Sequence, residues 1–356
     1  LIAEAKALED LVGKLAACDR IAIDTEADSL HCYFEKVCLI QISGGPDHVL
    51  VDPLSEIDLQ PLYDLVCSRR LVFHGADYDL RLLRRTGKFE PLDLFDTMIA
   101  ARLVGKTAFG LAALVKEYFG IELSKASQKA NWAIRPLPQE MLEYAINDTR
   151  YLLEIADILE SDLRNMGRLD WFLESRDRMI ASAREVKERD ESTVWRITGS
   201  SALSPRAQAV LRILWFWRDA EARAWDRPPF HVIGNDDMLR VAEKVANGGT
   251  FSVPRMNGRR RKSFEVVTAL AMQIPEKEWP KIEKVRRKRP SREQLDRFED
   301  LKKIRDRVAS ELHLDSSIIA PRAALDATAA DLSSTALMNW QRQLLGLPAI
   351  AASASA

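Results

Sequence analysis

The chain has 356 residues, of which 47% are hydrophobic, 29% charged and 7% aromatic. That composition suits about two to three folded domains and excludes a disordered, collagen-like or membrane-embedded chain. The net charge of −1 hides an asymmetry: 24 Lys and Arg face 33 Asp and Glu over residues 1–190, and 28 face 20 over 191–356, a split of −9 and +8. A basic half suggests an anionic partner.

Residues 3–16 place Leu8, Leu11, Val12 and Leu15 at helical spacing, and this predicts a first helix. The start carries no basic n-region and no apolar h-region, so no secretory signal is expected. It lacks an initiator Met, so the numbering is expected to omit a few leading residues. Short runs then read as strands: Ile21-Ala22-Ile23, Val37 to Ile42, His48 to Val51 and Leu71-Val72-Phe73, each bounded by turn residues. After His74-Gly75 the signal turns helical, at about 77–87, 96–104, 110–118 and in one long stretch from about 137 to 165. Beyond 190 the strand signal stops. Ser204-Pro205 reads as a helix start, and short helices broken by Pro228-Pro229, Asn247-Gly248-Gly249 and Asn257-Gly258 run to about 285. A basic linker, with Arg286-Arg287-Lys288-Arg289 at its centre, leads to a last helical stretch over 293–350, with Leu301, Ile304, Val308 and Leu312 in register. The tail 351–356 is expected to fray. Cys18, Cys32, Cys38 and Cys67 show no C-x-x-C spacing, which predicts reduced, mostly buried thiols in a cytoplasmic protein. With no apolar run of ~18 residues, no membrane partner is expected.

Three acidic constellations carry the chemistry. Asp24 and Glu26 end the first strand at i and i+2, so both carboxylates project from one face. Two adjacent anions repel unless a cation sits between them. In Phe73-His74-Gly75-Ala76-Asp77-Tyr78-Asp79 a strand gives way to a helix whose first turn holds two aspartates. Either one suits the helix dipole, and the chemistry does not choose between Asp77 and Asp79. Tyr144 and Asp148 stand four apart on a helix and share a face, where a phenol and a carboxylate can hold a water.

The order strand D-x-E, strand-to-helix Asp, helix Y-x-x-x-D resembles the DEDD superfamily of 3′–5′ exonucleases in its Tyr-containing subclass, and within it the ribonuclease D family. Phe95-Asp96-Thr97 and Ser124 to Gln128 with Trp132 and Arg135-Pro136-Leu137 also resemble that family, over about residues 2–190. The resemblance selects Asp79. It implies an α/β RNase H-like (DnaQ-like) exonuclease domain with a mixed sheet. Residues 200–285 resemble an HRDC (helicase and RNase D C-terminal) domain and 291–350 a divergent second one. The expected organisation is therefore an exonuclease domain at 1–190 followed by two all-α modules. One departure is that Ala27 follows the D-x-E glutamate, where many relatives carry Phe.

What the resemblance implies is hydrolysis of RNA from its 3′ end to nucleoside 5′-monophosphates, as in the processing of tRNA precursors, by a cytoplasmic monomer. Asp24, Glu26, Asp79 and Asp148 are expected to bind two divalent ions, Mg²⁺ or Mn²⁺. Tyr144 would orient the attacking water and help accept its proton. His31, His48, His74, His231 and His313 all lie far from Asp148 in sequence, so Tyr144 keeps that role. Lys125, Trp132, Arg135, Arg260 and Arg261 are the candidate substrate-binding residues. A DNA-directed exonuclease of the same superfamily is the alternative, followed by an inactive RNA-binding scaffold, whose hallmark would be a missing carboxylate.

Overall fold

A computed structural model describes residues 1–185, 189–251, 253, 256–281 and 289–350. The basic residues 286–288 and the tail 351–356 lie outside the described residues. The chain groups into two compact units. One combines residues 1–27, 37–185 and the described part of 288–356; the other combines 28–36 with the described part of 186–287.

The first unit is built on a five-stranded sheet. Its strands are β1 Arg20–Ala27, β2 Val37–Gly44, β3 Asp47–Val51, β4 Arg70–Phe73 and β5 Asp93–Asp96, in the order β3-β2-β1-β4-β5. The β1–β2 and β2–β3 pairs are antiparallel, and β1–β4 and β4–β5 are parallel, so the sheet is mixed as expected. β1 extends further than the three-residue run predicted, which puts Asp24 and Glu26 inside the strand. The alternation of β1 sends Ile21 and Ile23 into one core with α1 Ala5–Leu15, α2 Gln60–Cys67 and α3 Asp77–Thr86. Ala22 faces the opposite core, and Asp24 and Glu26 share its parity. That second core packs α4 Thr97–Val104, α5 Leu111–Phe119, α7 Leu152–Asn165 and α8 Leu169–Arg184 on Val72 and Phe95. Helix α6 Gln139–Arg150 lies over β2 and β3, with Met141 and Ala145 packed among Leu39, Leu50 and Trp132.

Several elements differ from the sequence reading. The stretch 137–165 is two helices, which break at Tyr151. β5 is a four-residue strand bounded by aspartates, too short to show a period, and from sequence it merges with the helix that follows. α2 and α8 are helices beyond those that the apolar spacing predicts.

Four further helices of the second unit, α9 Pro205–Trp225, α10 Pro229–Val232, α11 Asn235–Ala246 and α12 Gly258–Met272, enclose a core of Leu211, Leu214, Met238, Val241 and Phe264. Ser204 caps α9 through the Ala207 N–H at 3.2 Å, as the Ser-Pro pair predicts. Residues 28–36, read from sequence as part of the exonuclease domain, belong to this unit: the Tyr33 hydroxyl donates to Asp219 at 3.0 Å and the Phe34 N–H to Asp226 at 3.1 Å. The last helices, α13 Arg292–Leu312, α14 Ser316–Ile319, α15 Arg322–Ala330 and α16 Asn339–Leu344, pack within the first unit. There Trp340 stacks on Trp171 of α8 at 4.9 Å. No helix among the described residues is long and apolar enough to cross a membrane.

Candidate active site

Asp24, Glu26 and Asp148 each offer a carboxylate oxygen, and the three oxygens lie within 4.8 Å of one another. β1 delivers the first two from one face. The pairing of β1 with β2 shifts between Glu26 and Ala27, a bulge that re-aims the strand beside the site. α6 delivers Asp148 and is fastened to the sheet by Thr149, whose hydroxyl meets Ser43 at 2.8 Å. Tyr144, one turn earlier on the same helix, lines one cavity with Asp148 and Gln128.

Asp79 stands one layer back. Thr25, of opposite parity to Asp24, hydrogen-bonds its carboxylate through the side-chain hydroxyl. Asp79 is 6% exposed, and its charge is felt by Asp24 and Glu26. Asp77 instead pairs with Arg81 at 2.8 Å on the outer surface of α3. The structure thus sets Asp79, not Asp77, beside the cluster. The turn that presents it depends on Gly75. Its φ is +83°, and a Cβ at this position would stand 2.5 Å from the Met98 Cε, so any side chain here would have to displace Met98.

The electrostatics match a site built to take counter-charge. Burial, then the charges of Asp79, Asp148 and Glu26, hold Asp24 well above the usual carboxylate range. Burial and the charges of Asp148 and Asp79 push Glu26 up to about 9. Burial raises Asp79 and Asp148 to about 7 each, against the opposing hydrogen bonds from Thr25 and Tyr144. An all-oxygen donor set of crowded, proton-retaining carboxylates fits a hard divalent cation.

The cavity over this cluster has a volume of about 500 Å³ and is lined also by His74, Gly110, Leu111, Lys125 and Gln128. His74 is the residue that sequence distance hides. Its Nδ1 meets Thr97 Oγ1 at 2.9 Å, and that hydroxyl in turn donates to the Phe73 carbonyl. Nδ1 therefore carries the imidazole proton. Sequence proximity to Asp148 is the wrong measure, since β4 brings His74 in from 74 residues away.

The substrate-binding candidates divide. Lys125 lines the cavity. Trp132 is only 1% exposed, with its ring 6.0 Å from that of Tyr144; it supports the tyrosine and offers no face to a base. Arg135 grips Asp52 through two nitrogens at 2.6 Å each and also donates to the Cys38 carbonyl, so it ties its loop to the sheet. In the second unit Arg260 is buried over Trp225 at 4.2 Å and beside Glu221, which satisfies its charge internally. Arg261 is exposed and donates to the Met256 carbonyl at 3.2 Å.

Comparison with known proteins identifies the family of the chain. Residues 1–164 match the 3′–5′ exonuclease domain family. The chain is 28% identical to the ribonuclease D of Nitrobacter hamburgensis over 99% of its own length and 94% of that protein's. It is 32% identical to the ribonuclease D of Bartonella henselae over 68% of this chain and 60% of the relative. Among solved structures it is similar to Escherichia coli RNase D, an exoribonuclease involved in structured RNA processing, with a TM-score of 0.70, 25% identity, and coverage of 97% of this chain and 96% of that one. With an acidic cluster on the matched domain and kinship over nearly its whole length, the chain belongs to the ribonuclease D family of 3′–5′ exoribonucleases.

Proposed function

We propose that the enzyme trims structured RNA, tRNA precursors among them, one nucleotide at a time from the 3′ end and releases nucleoside 5′-monophosphates. The observation that carries this reading is the convergence of Asp24, Glu26 and Asp148 within 4.8 Å, with Tyr144 lining the same cavity. Asp24, Glu26 and Asp148 would hold two divalent ions, Mg²⁺ or Mn²⁺, with Asp79 behind them. Bound there, the ions supply Lewis acidity at the scissile phosphate and counter-charge for the carboxylates.

The chain's own groups set the rest. Gln128, Tyr144 and Asp148 line the cavity together. Burial and the neighbouring carboxylates raise the pKa of Tyr144, so the phenol stays neutral. It is read as orienting the attacking water and helping to accept its proton, the role expected from sequence. Lys125, at the cavity wall, is placed to meet a substrate phosphate.

The helices of 205–272 and 292–344 are read as the two HRDC-type modules. The reading extends to a monomeric, cytoplasmic enzyme; the four cysteines, none in a disulfide, support a reducing compartment. Matched 5′-labelled RNA and DNA oligonucleotides in Mg²⁺ or Mn²⁺ test the assignment. A one-nucleotide ladder on RNA, with mononucleotide product, is expected. Preference for DNA would favour the DNA-directed alternative, and lack of cleavage on either would favour the inactive scaffold.

A further inference from the structure

Two cavities lie beside one another in the first unit, away from the acidic cluster, with volumes of about 460 and 340 Å³. Both are lined by Arg102, Ser317 and Ile318, so they form one continuous groove between α4 and the C-terminal helices. A single loop separates this groove from the catalytic cavity. Lys106, Thr107 and Phe109 line the groove, while Ala108 and Gly110 of the same loop line the catalytic cavity.

The groove is rich in donors. The Arg102 guanidinium sits over the Phe109 ring, 5.3 Å from its centroid, and its charge also reaches Asp315. Arg178 makes one hydrogen bond, to the Thr335 carbonyl at 3.3 Å. Trp340, 5% exposed, lines the far end, and its indole N–H has no partner among the described residues. Lys106 is neutralised by Glu117. The one carboxylate in the lining, Asp315, is occupied in capping α14 through the Ser317 N–H. Guanidinium groups along an apolar wall, facing a single carboxylate, suit contact with the phosphates of a single strand.

We infer that this groove carries the single-stranded RNA lying 5′ of the nucleotide being removed, with Arg102 and Arg178 on its phosphates. The inference rests on the exonuclease reading for the direction of the strand, but not for its test. The test is fluorescence anisotropy with a 5′-fluorescein 12-nucleotide RNA in EDTA, where no hydrolysis occurs. The doubly substituted R102Q/R178Q protein is expected to bind about tenfold more weakly than the parent. The slope of log K against log salt should fall by about 1.4, the value for two single-strand phosphate contacts. R102K/R178K should recover part of the loss, and Lys6→Gln, on the surface of α1, should bind like the parent. In Mg²⁺, the ratio of kcat/KM for the 12-mer to that for a dinucleotide should also drop about tenfold in the Gln variant. Unchanged affinity in the folded double variant, or a parent that does not bind the 12-mer in EDTA, overturns the groove assignment. Failure of the exonuclease reading would show separately, as the absence of cleavage in Mg²⁺ despite groove-dependent binding.

Discussion

The Asp96 carboxylate accepts the backbone N–H of Ala76 at 2.8 Å and that of Gly75 at 3.2 Å, and so ties the end of β5 to the start of α3. The same carboxylate caps α4 through Met98 and Ile99. One buried acid thus fixes the turn that places both His74 and Asp79. Asp96→Ala would leave these N–H groups without their acceptor. A loss of about 1–3 kcal/mol is expected, read by denaturant unfolding; an unchanged midpoint would refute this anchoring role.

Gly75 lies in the same turn, at a left-handed φ and against Met98. Gly75→Ala should cost roughly 1–3 kcal/mol in backbone strain, with Met98 displaced. The pair Gly75→Ala with Met98→Ala should recover only the steric part, since the strained φ persists. Full recovery in that pair would show that the φ carries no cost.

Removing one ligand carboxylate should abolish turnover without unfolding the protein. Asp24→Asn and Asp148→Asn are each expected to lower kcat by about 10³-fold. Tyr144→Phe, which loses the hydroxyl but keeps the ring against Trp132, should lose about 10²-fold. Mononucleotide release from labelled RNA measures all three. Parent-like rates in either aspartate variant would remove the cluster from the mechanism.

The raised carboxyl pKa values make the metal-free fold sensitive to alkali. Unfolded carboxylates titrate near ~4, whereas Glu26 keeps its proton to about 9 and Asp79 and Asp148 to about 7. The folded state therefore binds more protons than the unfolded one between these limits. The associated stability is fully present below the unfolded pKa and is lost as pH rises through 7 and 9. In EDTA, Tm should fall from pH 5 to pH 9, and Glu26→Gln should flatten that fall. Mn²⁺ at pH 8 should raise Tm by about 2–4 °C for each kcal/mol of repulsion relieved. A flat metal-free profile would count against the crowding of these acids.

Arg135 is expected to matter for the fold. Asp52 is 5% exposed and has its charge met by that guanidinium. Arg135→Ala should cost about 3–5 kcal/mol, because a buried carboxylate is left uncompensated. Asp52→Asn in the same background should recover much of it. Calorimetric unfolding of the single and double variants decides.

The order of acidic motifs was legible in the sequence because each is local: the strand parity of Asp24 and Glu26 and the helical spacing of Tyr144 and Asp148 are properties of neighbouring residues. The strands and helices with a clear period could be read on the same ground. Asp77 and Asp79 were indistinguishable by chemistry, since both sit in one helical turn; the family pattern chose between them, and packing explains the choice, because one faces Thr25 and the other Arg81. Whether Trp132 and Arg135 touched substrate or core, and whether His74 lay near Asp148, depended on which distant segments become neighbours. Burial and ion pairing arise from contacts across tens of residues. The elements with a clear period and the motif chemistry were therefore set by the sequence alone, while the short or aperiodic elements and the partners of each charged or aromatic side chain were decided only when the sheet and α6 closed on one another.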